Sequence, residues 1–281
     1  MPSLSAPPVP RPAVATRPGA ASGRGVLRAA VATWFGVAML GQLAFAAYVV
    51  GLYGGAALSG QAAHWNRVTP RAWVPGEPVG NLVFASHVAF TVAILLGGLI
   101  QLLPPLRRRA PALHRWNGRL YLAAAVVLAL GGIAMLLTRG TVGGIAQQAG
   151  TAVNGLAILA CAALAWRAAR AGRTAEHRRW ALRLFLCVGG VWFFRIGLMA
   201  WLMVFQAPVG FDPTSFSGPF LTVLAFAQFL LPLLVLEGVL RAEAGARPGA
   251  RRAMAAVVFA LAALTALGVA GAVMGMWLPR L

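Results

Sequence analysis

Long apolar runs separated by short polar stretches dominate the pattern of this chain. A helix that spans a bilayer needs about 20 mostly apolar residues. Seven runs meet or approach that length: 29–52, 82–103, 120–137, 151–166, 181–205, 220–240 and 253–278. They lack the alternation of strands, and a single helix satisfies its own backbone hydrogen bonds in lipid. The pattern therefore predicts an all-α fold, a polytopic integral membrane bundle of about seven transmembrane helices.

The charged fraction of the chain is too small for a soluble globule of this size. Hydrophobic residues make up 60% of the chain and charged residues 10%, whereas a soluble domain carries about 25% charged residues. The balance is strongly basic, with 24 basic residues against 5 acidic ones. Because the basic residues lie between apolar runs, we expect the lipid bilayer as the partner and no role for nucleic acid.

The distribution of the basic residues, all of them arginine, predicts how the chain is threaded. Nineteen lie in the leading tail and in the stretches after the second, fourth and sixth apolar runs, and four lie in the alternate stretches. Cytoplasmic loops carry the excess of basic residues. We therefore expect seven crossings of an inner membrane, with the amino terminus inside and the carboxyl terminus outside.

The first 25 residues differ in composition from the rest of the chain. They consist mainly of Pro, Ala, Ser, Gly and Arg, and such a segment cannot bury a core. The sequence thus predicts a disordered basic tail over 1–25, followed by a single transmembrane helical domain over 26–281.

Two similar motifs each follow an arginine cluster and open an apolar run. They are LHRWNGRLYL, residues 113–122, and EHRRWALRLF, residues 176–185. The similarity predicts two related helical hairpins, with His114 and His177 at the same inner face. Arg and Trp at a helix mouth also anchor a helix among lipid headgroups, and that interpretation requires no further role for the two histidines.

Two ionisable residues lie deep inside apolar runs, where a charge costs a few kcal/mol and usually faces a partner or a wet cavity. These residues are His87 in the second run and Arg195 in the fifth. We expect Arg195 to face the bundle interior near His87, where an anionic ligand would bridge the two side chains. The alternatives are hydrogen bonds to neighbouring helices or snorkelling of the arginine.

The order of three motifs resembles a known family. SHVAFTVAILLGGLIQLL, LHRWNGRLY and EHRRWALRLFLCVGGVWFFR occur in turn over residues 86–195. Together they are similar to the bacterial predicted membrane proteins known as domain of unknown function 2306, with a family-like core over about 82–205. The resemblance implies a helical bundle and implies no chemistry, and one departure is Ala181, where we would expect Met. It groups six residues: His87, His114, His177, Arg119, Arg183 and Arg195.

Three functional hypotheses remain open. The first is a non-catalytic or uncharacterised membrane component with an intramembrane His/Arg pocket, and the second is membrane electron transfer through a b-type haem or a quinone. The third is an anion or proton-coupled transporter. Five acidic residues offer little for acid–base catalysis, so no catalytic residue is assigned, and beyond haem no metal is suggested. The candidate cofactor-binding residues are His87, His114, His177 and Arg195.

Overall fold

A computed structural model describes residues 19–140, 142–245 and 247–281. These residues form eight long helices and no named strand, which confirms the all-α prediction. The helices are α1 (Gly19–Val49), α2 (Pro78–Leu102), α3 (Pro111–Arg139), α4 (Ile145–Arg170), α5 (Thr174–Val188), α6 (Gly190–Phe205), α7 (Pro219–Gly245) and α8 (Pro248–Ala272). Helical turns prolong α1 to Leu58 and α8 to Arg280.

Six of these helices are long and apolar enough to cross a bilayer on their own. Helices α5 and α6 are bent by 53° relative to each other, and the pair gives a seventh crossing if it is counted as one span. The break falls at Gly189, within the run that the sequence predicts as one helix. Glycine favours such a break because it has a low helix propensity and no side chain that could pack against neighbouring helices.

The helices extend beyond the apolar runs at several ends. Proline occupies the first turn of α2, α3 and α8, where its missing N–H costs no helical hydrogen bond. As a result α3 begins nine residues before its predicted start, and the motif at 113–122 is helical. Helix α1 begins at Gly19, so residues 19–25 of the predicted tail are helical, and residues 1–18 lie outside the described residues.

Three groups of buried side chains form the core. The first joins α1, α2, α6 and the end of α8, and it includes Tyr48, Trp192 and Trp277. The second joins α2, α3, α4 and α5 and contains the two cysteines, which are buried as free thiols. The third joins α1, α7 and α8. Helix α5 is therefore held against α4 on one side, and α6 is held against the α1–α8 pair.

Candidate functional site

The two histidine motifs face a common cavity. His114 lies in the first turn of α3 and His177 in the first turn of α5, and both line a cavity of about 450 Å³. That volume is in the usual range for small-molecule sites, about 300–1,000 Å³. Gln101 of α2 and Trp166 of α4 line it as well. The structure thus brings together the predicted pair at one end of the bundle.

Helical spacing explains how each motif reaches the cavity. His114, Gly118 and Tyr121 stand four and seven residues apart on α3, and these steps return to the same face of a helix. His177, Ala181 and Leu184 repeat the same spacing on α5. A small residue follows each histidine by one turn, and this leaves room between the two helices. The Met expected at position 181 would fill part of that room.

A chain of hydrogen bonds fixes the orientation of His114. Asn117 Nδ2 donates to the carbonyl of Gly97 and to Gln101 Oε1, each at 2.8 Å. A carbonyl can only accept, so Asn117 must present its amino group, and Gln101 must turn its own oxygen toward Asn117. Gln101 Nε2 then lies 3.3 Å from His114 Nε2 and donates to it.

The consequence is a proton on the other nitrogen of His114. In a neutral imidazole one nitrogen accepts and the other donates, so Nδ1 carries the hydrogen. Nδ1 is buried and has no protein partner within the described residues. An unsatisfied buried donor costs about 1–3 kcal/mol, so a ligand oxygen that reached this atom would be held by it.

His177 offers the complementary group. Its Nδ1 lies 3.0 Å from the carbonyl oxygen of Ala165. Because that oxygen only accepts, Nδ1 donates, and in the neutral form of the ring Nε2 is left with a lone pair. The cavity therefore contains one imidazole that can donate and one that can accept. The same arrangement orients histidines that bind metals.

Arginines add positive charge to the rim of the cavity. Arg115, Arg119 and Arg170 line it, and no acidic residue is among the described residues of its wall. Arg119 lies over the ring of Trp116, with 5.0 Å between the guanidinium carbon and the ring centre. Trp116 is exposed, as expected for an anchor at the membrane surface. Headgroup anchoring and a binding role for His114 are therefore compatible, because they use different faces of α3.

Two glycines allow the walls to approach each other. A Cβ atom on Gly98 would lie 3.1 Å from the rings of both Phe185 and Tyr121. A Cβ atom on Gly118 would lie 2.8 Å from Gln101 Nε2 and would disturb the hydrogen-bond chain. Gln101, Asn117 and Gly118 were not among the residues predicted for the site. The signal that could have found them is their place inside the LGGLIQLL and HRWNG motifs.

His87 and Arg195 lie elsewhere in the bundle. His87 is 14 residues before Gln101 on α2, about 21 Å along the helix axis. Its ring packs against Gly131 and Gly132 of α3, and its Nδ1 is buried without a protein partner. Arg195 lies on α6, and its Nη1 donates to the carbonyl of Val191 at 3.1 Å. The four candidate residues therefore do not share one site, because His114 and His177 line the cavity whereas His87 and Arg195 do not.

Arg195 lies among side chains of α1 as well as near α2. Its guanidinium carbon is 5.3 Å from the centre of the Phe45 ring. The charge is within electrostatic range of Tyr48, Tyr53 and His87. Arg195 is partly exposed, and both its inward orientation and a binding role for it stay predictions. In the described parts of the chain, no group of three or more metal-ligating side chains comes together.

Comparison with known protein families gives a match to the chain. No curated protein and no solved structure matches the chain. Residues 84–236, more than half of the 281, match a family described as predicted membrane proteins, DUF2306. The matched segment contains both histidine motifs, Gln101 and Arg195, and every residue that lines the cavity lies within it. The chain belongs to this family of multi-pass membrane proteins.

Proposed function

We propose that this protein is a membrane component that binds the head of an amphipathic ligand, a quinone, in the cavity between His114 and His177. The observation that carries the proposal is the buried Nδ1–H of His114, which the Asn117–Gln101 chain orients and which lacks a protein acceptor. A carbonyl oxygen is one acceptor that would satisfy it. Location in the inner membrane remains part of the proposal.

The chemistry of the walls supports a flat ligand with two oxygens. Tyr121, Leu184 and Phe185 supply apolar surface for a ring. His114 would donate to a quinone carbonyl, whereas His177 Nε2 would accept from the hydroxyl of the reduced form. The two neutral imidazoles would therefore satisfy both oxidation states of such a ligand. Apolar walls with a few convergent polar groups are typical of small-molecule sites.

A b-type haem is the second candidate, and one observation favours it. His177 Nε2 has the free lone pair that iron requires, and Arg115, Arg119 and Arg170 could bind propionates. The second axial ligand fits less well, because the lone pair of His114 Nε2 already accepts from Gln101. Ligation by both histidines would require that hydrogen bond to break. The donor set therefore suits an oxygen acceptor better than iron.

The experiment is a direct test for bound ligand. The protein is purified in mild detergent from haem-replete cells, its visible spectrum is recorded, and its lipids are extracted and separated by chromatography. We expect near-stoichiometric quinone and no Soret band. A short-tailed ubiquinone should then quench tryptophan fluorescence saturably, and His114→Ala should weaken binding about five- to tenfold, since a well-formed hydrogen bond contributes about 1–1.5 kcal/mol.

The matched control is His64→Ala. His64 lies between α1 and α2, and its ring contacts Arg67, so its loss should leave quinone binding unchanged. A Soret band that disappears in His177→Ala would replace the quinone proposal with haem. Colourless protein with no extracted quinone and no saturable quenching would refute both.

A further inference from the structure

Arg195 is a charge in an apolar helix without a carboxylate partner. Three of the five acidic residues pair with arginines, in the ion pairs Glu77–Arg139, Glu176–Arg173 and Glu237–Arg183. None of the ion pairs in the described residues includes Arg195. A charge in a membrane helix usually has a partner, so the absence of a carboxylate here needs an explanation.

The remaining acids are placed away from Arg195. Asp212 lies in the exposed turn between α6 and α7, where the amide of Thr214 and the hydroxyl of Ser215 lower its pKa by donating to the carboxylate. Glu243 lies on α7 in a groove that Arg28 and Arg178 also line. Neither position offers a counter-ion for α6.

Arg195 is linked through the Phe45 ring to buried donors that lack protein partners. One guanidinium nitrogen donates to Val191, and the guanidinium lies over the Phe45 ring. Phe45 contacts Trp277 at 5.2 Å between ring centres, and Trp277 stacks on Tyr48 at 6.0 Å. Tyr48 Oη, Trp277 Nε1 and His87 Nδ1 are all buried and lack protein partners in the described chain.

This composition specifies the charge of a ligand. Arginine and tryptophan can only donate, and tyrosine and histidine can do so. A ligand that satisfies them must therefore be rich in acceptors, and the uncompensated guanidinium requires it to be negative. A cation or an apolar molecule would leave the same groups unsatisfied.

We propose that a small anion, a halide or a carboxylate, binds beside Arg195 between α1, α2 and α6, with Tyr48 and Trp277 as further donors. The site is separate from the cavity at His114 and His177. Arg195 is 18 residues beyond His177, up to about 27 Å along the α5–α6 path. Arg280, exposed at the end of the chain and within electrostatic range of Arg195, would attract anions to this end of the bundle.

The competing account is an arginine that only holds helices together through Val191 and Phe45. The two accounts differ in what anions do to the protein. If the residue is only structural, anions leave the unfolding temperature unchanged and Arg195→Gln lowers it. If the residue binds an anion, the anion raises the unfolding temperature of the native protein and has no such effect on Arg195→Gln.

The direct measurement uses iodide and tryptophan fluorescence. Native protein in detergent is titrated with iodide at constant ionic strength, with methanesulfonate as the balancing anion. We expect a saturable quenching component that Trp277→Phe reduces. Arg195→Gln should weaken it at least tenfold. Arg195→Lys should weaken it several-fold, because lysine keeps the charge but loses the planar fork of donors.

Competition identifies the class of anion. Chloride that displaces iodide indicates a halide site, and acetate that displaces it more strongly indicates a carboxylate site. The control is Arg170→Gln, which removes an arginine from the other cavity and should leave iodide quenching intact. Linear quenching with the same slope in the native protein and in Arg195→Gln would overturn the proposal, as would an anion-independent unfolding temperature.

Discussion

The ion pair between Arg183 and Glu237 gives the sharpest stability prediction. Arg183 Nη2 lies 2.7 Å from Glu237 Oε1, and the same guanidinium lies 4.6 Å from the Trp180 ring centre. The pair joins α5, which carries His177, to α7. Its loss should therefore lower the stability of the bundle and loosen the wall of the cavity.

The loss of stability depends on how deeply the remaining charge is buried once its partner is removed. Removing one partner of a fully buried pair costs about 3–5 kcal/mol because the other charge stays buried and unpaired. Arg183 is 21% exposed and Glu237 33% exposed, so the survivor can reach some polar surroundings. We therefore expect about 2–3 kcal/mol for Arg183→Leu or Glu237→Leu alone. Removal of both charges leaves none unpaired, and the double variant should lie within about 1 kcal/mol of the native protein.

The assay is a double-mutant cycle on purified protein. Unfolding in mild detergent is followed by circular dichroism as denaturing detergent is added, for the native chain, both single variants and the double variant. Strong non-additivity is expected because the two residues are in contact. If the two single costs simply add in the double variant, the unpaired-charge reasoning is wrong and the residues contribute only through separate packing contacts.

Three further predictions concern the cavity, the segment before α2 and the threading of the chain. Gly118→Val should disrupt the Gln101–His114 hydrogen bond, because a Cβ would lie 2.8 Å from Gln101 Nε2. This variant should weaken quinone binding at least tenfold. The control Gly25→Val should leave quinone binding unchanged, because a Cβ on Gly25 meets open space. Arg139→Ala should raise amide exchange around residues 71–77, because Arg139 donates to the carbonyls of Arg71 and Ala72 and to Asn81. Unaltered exchange there would contradict this. If the chain crosses seven times from an inside amino terminus, alkaline phosphatase fused to the carboxyl terminus should be active. A fluorescent protein fused at the same end that becomes fluorescent would exclude this topology.

The sequence by itself determined the class of the molecule. Hydrophobic length and composition decide whether a helix can cross a bilayer, so the all-α multi-pass bundle could be predicted from the runs alone. The repeated His-Arg motifs also predicted that His114 and His177 share one end, because both open helices after arginine clusters. These properties depend on residues near each other in the chain.

The tertiary structure decided the break at Gly189 and the rotation of each helix. A Gly-Gly pair such as 189–190 serves equally for close packing or for a bend, so the sequence could not distinguish one helix from two.

The hydrogen-bond chain at the cavity shows why rotation could not be predicted. In lipid the outer face of a helix is as apolar as its inner face, so hydrophobic periodicity does not reveal which residues point inward. Asn117, Gln101 and His114 form one chain only because α2 and α3 pack with these particular faces together. The sequence determined which polar groups enter the membrane, and packing alone decided which of them meet.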